Sequence, residues 1–443
     1  TTALRTIVLA LTCTHTTDYL RFYILDLSGN NLESLSLLPH VAGVAHQHDT
    51  EKIARIIDEV CGFIDQPEPW HTFLIVDGWH VLHGDHEDLM EKLGRIAADG
   101  LAARVHLVLT ATRWSVVRPA IRDLIPQRIE TKLGEPMDSL IDRKAQLKVP
   151  ALPGRGLTSS GETMLIALSA QQDVAFIARS LVADQPPVPR LKLLPTHLIL
   201  ADLPQLDPDQ HSVPLGVGGP KLGAVNWDYL ASQHMVCIGA QESGKSTLIS
   251  TIIAGLTQIG RERARLVVID HRRSHLGAID PDMLAGYSAS TQETEKLVAA
   301  MKITLEERLP SAEVTPQQLK DRSWWTGPDI FLIVDNLDLV ADMAFAPLLS
   351  VLPHARDVGL HVVITRKSGG CVRALFQPFL AEIKDQSPFI LVLDADKDDG
   401  PLFGARLKPQ PPGRGVMIHH GTQQGLIQIA AVDMLETAEA KAS

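Results

Sequence analysis

The chain of 443 residues is short of cysteine, of aromatic residues and of positive charge. Its four cysteines, Cys13, Cys61, Cys237 and Cys371, lie far apart and form no C-x-x-C pair. That argues against a disulfide framework or a thiolate metal site and for reduced thiols in the core of a cytosolic protein. Histidine is plentiful at 18 residues, but "HQH" (46–48) and "HH" (419–420) lack a third ligand at helical spacing, so surface histidines are expected there. No apolar run reaches the ~18–20 residues that span a bilayer, and no signal peptide is recognisable. The chain starts at Thr1 rather than at a methionine, which reads as a fragment or processed piece with any membrane segment outside it. A net charge of −11 disfavours a general nucleic-acid binder, since neutralising phosphates takes clustered Lys and Arg, although a local basic pore is compatible with it.

What the chain does have is a duplication. Its length exceeds what one core usually supports, so two or three domains are expected. "TTALRTIVLAL" (1–11) aligns with "STLISTIIAGL" (246–256), and "RFYILDLSGN" (21–30) with "RLVVIDHRRS" (265–274). "TFLIVDGWHVL" (72–82) then aligns with "IFLIVDNLDLV" (330–340), and "ARVHLVLTATR" (103–113) with "GLHVVITRKSG" (359–369). Last, "LPGRGLT" (152–158) aligns with "PPGRGVM" (411–417). The growing offset places an insertion in the second copy, for which "TPQQLKDRSWWTGPD" (315–329) is the candidate. Short apolar runs alternate with helical patterns such as 49–64 and 87–100, which predicts an α/β fold: two tandem domains, each a mainly parallel sheet with helices on both faces. The Pro-rich stretch 182–195 marks the junction, and the expected boundaries are 1–190, a linker over 191–213, and 214–443, the last opening with a strand–turn–strand over 214–228.

"GAQESGKST" (239–247) is a G-x-x-x-x-G-K-S phosphate loop between a short strand and a helix. Gly239, Ala240, Gln241, Glu242, Ser243 and Gly244 curl backbone N–H groups around the β- and γ-phosphates of ATP. Lys245 reaches the phosphate oxygens, the Ser246 hydroxyl ligates Mg²⁺, and Thr247 follows. Asp335, ending a downstream apolar strand, is the magnesium anchor, directly or through water. In the first copy Thr1 and Thr2 align with Ser246 and Thr247, so this sequence opens just past the lysine of a first loop, and Asp77 is the counterpart of Asp335.

A fast NTPase of this type places an acid after the magnesium aspartate to polarise the attacking water. Here those positions are Gly78 and Asn336. Neither takes a proton at neutral pH, so binding without rapid turnover is expected, and a glutamate restored at 336 should raise turnover if the rest of the site is competent. Asp338 is a candidate substitute for that acid, on which with a neighbour's arginine a slow stand-alone ATPase would rest, but three residues on it is expected to point elsewhere. Thr110, Thr112, Arg113, Thr365 and Arg366, at strand ends, are candidate γ-phosphate sensors. Arg356 is a candidate arginine finger toward a neighbouring subunit, and the two "PGRG" turns (153–156, 412–415) are candidates to border the adenine.

These segments, with "LGEPMDSLIDRKAQLKVPALPGRGLT" (133–158), "ARDVGLHVVITR" (355–366) and "DGPLFGARLKPQPPGRG" (399–415), resemble the C-terminal region of EccC, the FtsK/SpoIIIE-like (FtsK/RecA-like P-loop) ATPase family of type VII (ESX) secretion systems. The resemblance covers nearly the whole chain and assigns 1–190 to the family's second ATPase module and 214–443 to its third. It implies modules that bind ATP with Mg²⁺, hydrolyse it weakly and regulate a hydrolytic first module. It also implies recognition of the C-terminal signal of Esx (WXG100) substrates by the third module. Attachment to other ESX membrane components at the cytoplasmic face of the plasma membrane and self-association into a hexameric motor ring are further implications. The alternative is an FtsK/HerA-like DNA-translocating ATPase. The acidic balance, the missing glutamates and the short tail "DMLETAEAKAS" weigh against it, and no nucleic-acid partner is expected.

Overall fold

The computed structural model describes all residues except 30, 86–88, 208–209, 322, 395–399, 405–409 and 434–443. Most of the C-terminal tail, parts of the 399–415 segment and the start of the helical pattern at 87 therefore lie outside the described residues. The chain divides into two compact units, Thr1–Leu193 and Leu194–Ser443.

In the first unit, strands β1 (Leu20–Asp26), β2 (Val41–His46), β3 (His71–Asp77) and β4 (Val105–Leu109) form a parallel sheet in the order β2-β1-β3-β4. Apolar side chains alternate between its faces. Tyr23, Leu25, Leu74 and Val76 pack with helices Thr50–Asp65 and Met90–Asp99 in one core, while Phe22, Ile24 and Ile75 pack with helix Thr2–Thr14 in another. Burial on both faces explains why each strand reads as an unbroken apolar run. A separate antiparallel sheet holds β5 (Glu130–Thr131), β6 (Arg155–Leu157) and β7 (Thr163–Leu165). Between β4 and β5 lies a cavity of about 880 Å³, lined by Phe73, Leu107, Leu109, Ile129 and Thr131 among others.

The second unit repeats the plan in one ten-stranded sheet, introduced here in chain order: β8 (Ser212–Gly218), β9 (Gly223–Asp228), β10 (His234–Gly239), β11 (Ala264–Asp270), β12 (Leu284–Ser288), β13 (Asp329–Asp335), β14 (Leu360–Lys367), β15 (Phe389–Val392), β16 (Arg414–His419) and β17 (Thr422–Ile429). The order is β12-β11-β13-β14-β10-β15-β16-β17-β8-β9, parallel as far as β15 and antiparallel beyond. β12-β11-β13-β14 matches β2-β1-β3-β4, and β15-β16-β17 matches β5-β6-β7. In the second unit β10 joins the two groups into one sheet. The two faces again carry alternate residues: Val236, Ile238, Val334 and Ile364 on one, Met235, Cys237, Ile333 and Val363 on the other.

Two expectations change here. Residues from 194 onward, expected as linker, belong to the second unit, where Leu200 N–H donates to the Ala431 carbonyl and Ala431 N–H to that of Leu198. Cys13 is exposed on its helix rather than in the core; Cys61, Cys237 and Cys371 are buried. The candidate insertion carries a short helix, Pro316–Asp321, and is pinned by Trp324 Nε1–H to the Arg308 carbonyl and Trp325 Nε1–H to that of Asp357.

Candidate functional site

The site of the second unit lies at the C-terminal ends of its parallel strands, where open α/β sheets bind ligands. β10 ends at Gly239 and helix Lys245–Ile259 begins six residues later. Gly244, just before the helix, has φ +103°, and a Cβ there would meet the Gly413 nitrogen at 2.9 Å. That nitrogen donates to the Ser243 carbonyl at 2.8 Å, so the second "PGRG" turn is fastened to the phosphate loop. A Cβ on Gly239 would meet Ser243 Oγ at 2.2 Å. Ala240 N–H is held by the Asp394 carbonyl, while Gln241, Glu242 and Thr247 are exposed.

Lys245 is buried and donates from Nζ to the carbonyls of Gly239 (3.0 Å) and Ala240 (2.5 Å). Burial lowers its pKa, and the neighbouring Asp335 and Asp338 act against that fall. The Ser243 hydroxyl is buried with no hydrogen-bond partner, an orphan group inside the loop. Ser246 Oγ donates to Asp335 Oδ2 at 2.9 Å. A hydroxyl and a carboxylate in contact at a helix start are hard oxygen donors of the kind Mg²⁺ takes, so the residues present fit that ion. Burial disfavours the charged Asp335 carboxylate, but hydrogen bonds from His275, Thr365 and Ser246 outweigh it and hold its pKa below the usual carboxylate range.

The residue after each of Asp77 and Asp335 has a backbone reason for its identity. Asn336 sits at φ +59° and Gly78 at φ +93°. That left-handed region costs an ordinary L-residue ~1–2 kcal/mol and suits Gly and Asn. Both amides donate to a threonine hydroxyl at the end of the neighbouring strand: Asn336 to Thr365 Oγ1 on β14 at 2.8 Å, Gly78 to Thr110 Oγ1 just past β4 at 3.0 Å. The same hydroxyls donate to the aspartates, Thr365 to Asp335 Oδ1 and Thr110 to Asp77 Oδ1, each at 2.5 Å. A threonine, an aspartate and a left-handed residue thus form one latch, built identically in both units. Thr110 and Thr365, expected to sense phosphate, are committed to it. The first unit repeats the helix-start contact as well, since Thr1 Oγ1 donates to Asp77 Oδ2 at 2.5 Å as Ser246 does to Asp335, whereas Thr2 is exposed.

Other candidates are not gathered in. Arg366 Nη1 donates to the carbonyls of Lys367 and Gly369. Arg356 lies on the short helix Ala355–Val358 ahead of β14, at the opposite end of the sheet from Asp335. Asp338 accepts from Lys367 N–H at 3.2 Å and pairs with its Nζ at 3.7 Å. Thr112 and Arg113 are exposed and line the first unit's cavity. The first "PGRG" turn leads into β6.

The FtsK/SpoIIIE family matches residues 1–175. The chain is 36% identical to the ESX secretion system protein EccC of Thermomonospora curvata, over 97% of its own length and 36% of that protein's. It is 35% identical to the ESX-4 secretion system protein EccC4 of Mycobacterium tuberculosis, over 97% of its length and 37% of the relative's. The solved structure of Thermomonospora curvata EccC (ATPases 2 and 3) in complex with a signal sequence peptide superposes with a TM-score of 0.84 at 35% identity, covering 98% of this chain and 86% of that one. The chain belongs to the EccC family of FtsK/SpoIIIE-like ESX secretion ATPases. It spans about a third of the length of the two full-length EccC relatives named above.

Within this EccC-family chain, sequence reasoning missed two groups at the site. His275 Nε2 lies 3.2 Å from Asp335 Oδ2, and Ser28 Oγ donates to Asp77 Oδ2 at 2.7 Å. Both sit on the loop after the strand that neighbours the aspartate's own. The only signal for them was that position, because they stand at different distances from their strands and differ in type. Arg414, in the "PGRG" turn expected to border the adenine, has a structural role instead. It is buried, and its Nη2 donates to the carbonyls of Leu194 and Pro195, so it ties the start of the second unit to that turn.

Proposed function

We propose that the chain comprises the second and third ATPase modules of a type VII secretion motor. The third, within Leu194–Ser443, holds ATP and Mg²⁺ with little or no hydrolysis, and the modules regulate the motor rather than drive it. The observation that carries this is the paired latch: a complete phosphate loop in the second unit beside a left-handed residue where a catalytic glutamate would stand, repeated at Gly78. Lys245 binds the β- and γ-phosphate oxygens by exchanging its two carbonyl partners for them. Ser246 and Asp335 would hold the magnesium ion, which when bound would neutralise phosphate charge. Asn336 accepts no proton, so the attacking water stays unactivated.

Recognition of the C-terminal signal of Esx (WXG100) substrates is the second part of this reading. Its support is the signal sequence peptide bound by the Thermomonospora curvata relative. Work at the cytoplasmic face of the plasma membrane, in a self-associated motor ring attached to other ESX components, belongs to the same reading. Two measurements test it. Lys245→Ala should abolish ATP binding by calorimetry, and unchanged affinity would overturn the nucleotide site. An Esx heterodimer should be retained by the immobilised chain only with its C-terminal tail; equal retention without the tail removes the substrate role. Stimulation of ATPase activity by duplex DNA would favour translocation of DNA instead.

A further inference from the structure

Asp335 is held by donors from three different elements. Ser246 reaches it from the helix that follows the phosphate loop, and Thr365 from β14. The third is the imidazole of His275, on the loop after β11, 2% exposed. Its Nε2 is 3.2 Å from Asp335 Oδ2, so that nitrogen carries the proton and donates. Its Nδ1 is 3.4 Å from Ser250 Oγ, one helical turn beyond Ser246. Its backbone N–H donates to Asp270 Oδ2 at 2.8 Å, and Asp270 stands beside Asp335 in the sheet register. The first unit keeps the same three-sided arrangement with hydroxyls alone: Thr1, Thr110 and, in the place of His275, Ser28.

A carboxylate turns easily about its last torsion, so one donor does not fix its plane. Donors on both oxygens, from elements on different sides, do. We propose that His275 is a positioning residue for magnesium–nucleotide in the second unit. Together with Ser246 it fixes Asp335 Oδ2, the oxygen that faces the magnesium-ligating hydroxyl, and it does so from the loop after β11. The reorganisation needed to accept Mg²⁺ is thereby met in the folded protein. Partners of this kind typically alter metal affinity by ~10–100-fold when removed. His275 leaves the phosphate contacts of Lys245 and the loop amides untouched, so nucleotide affinity without the metal should not depend on it. The proposal rests on the nucleotide reading above.

The test is calorimetric titration of ATP into the full chain, at a series of MgCl₂ concentrations and in EDTA, for wild type, His275→Ala, His275→Gln and Ser250→Ala. His275→Ala should raise the Mg²⁺ concentration for half-maximal enhancement of affinity about tenfold, with affinity in EDTA unchanged. His275→Gln, whose amide still donates, should recover part of that loss. Ser250→Ala, which frees only the far side of the ring, should shift the Mg²⁺ requirement less and in the same direction. An unaltered Mg²⁺ dependence in folded His275→Ala overturns the proposal, as does an equal loss of affinity with and without Mg²⁺. If His275→Ala fails to fold, unaltered Mg²⁺ dependence in both other variants overturns it. Failure of the wild type to bind ATP under any condition overturns the nucleotide reading itself.

Discussion

Asn336 changes meaning between sequence and structure. Read as a letter, it is a lost glutamate that substitution should restore. With φ at +59° and the amide tied to Thr365, it is a residue selected by its backbone. Asn336→Glu should therefore lower stability by ~1 kcal/mol and leave turnover unchanged, because the side chain leaves a left-handed Cα in a direction an extended strand end would not give it. Phosphate-release kinetics beside a denaturant melt check both halves, and a clear rise in turnover would show that the strand end rearranges. Gly78 is stricter, since a Cβ there would stand 3.1 Å from Ser28 Cβ. His234 carries a prediction of another kind. It is buried, its Nδ1 accepts from Val362 N–H and its Nε2 donates to Gln386 Oε1, which fixes the neutral ring. Burial pushes its pKa down to about 3. The unfolded chain takes up that proton near ~6.5, so stability falls as the pH drops from there toward 3, by ~1.4 kcal/mol per unit from this group. His234→Asn should flatten the stability–pH slope between pH 6 and 4; an unchanged slope would show that the ring is protonated in the fold.

At the scale of elements, the strands were the legible part. "FLIVD" twice over announces a strand buried on both faces and ending in a carboxylate, and β3 and β13 are that strand. The phosphate loop was legible because its glycines answer local backbone demands. The latch was not, because it joins Asp335 to a threonine thirty positions on and to a dihedral sign that no pattern of side chains encodes. Nor was the segment between β4 and β6, whose order depends on one buried carboxylate. Glu130 accepts from Trp114 Nε1 (2.7 Å), Ser139 Oγ (2.7 Å), Leu140 N–H (2.9 Å) and Gln146 Nε2 (3.1 Å). Burial works against its charge, yet these bonds win and hold its pKa below the usual range. Glu130→Ala leaves four donors facing nothing and should cost roughly 3 kcal/mol, with amide exchange accelerating across 131–148 before the parallel sheet is affected. Uniform loss of protection would show that this segment is not a separate cooperative element.

For the whole molecule, duplication decides what the chemistry can be. Two units kept the aspartate, the threonine beside it and the left-handed residue after it, while other features diverged. The loop donor is Ser28 in one and His275 in the other, and only the second copy carries the insertion pinned by Trp324 and Trp325. Random drift would not place a residue without a carboxylate after both aspartates in the same left-handed backbone conformation. Agreement at that point, amid divergence elsewhere, supports the slow turnover proposed above. The isolated chain should therefore hydrolyse ATP far below the ~10 s⁻¹ typical of enzymes, and concentrating it should not bring the rate near that value, because a neighbour can add an arginine but not a base at position 336. Steady-state phosphate release across a wide range of protein concentration measures this. A specific rate that climbs to several per second on association would place the missing base on the neighbouring copy and make these modules engines in assembly.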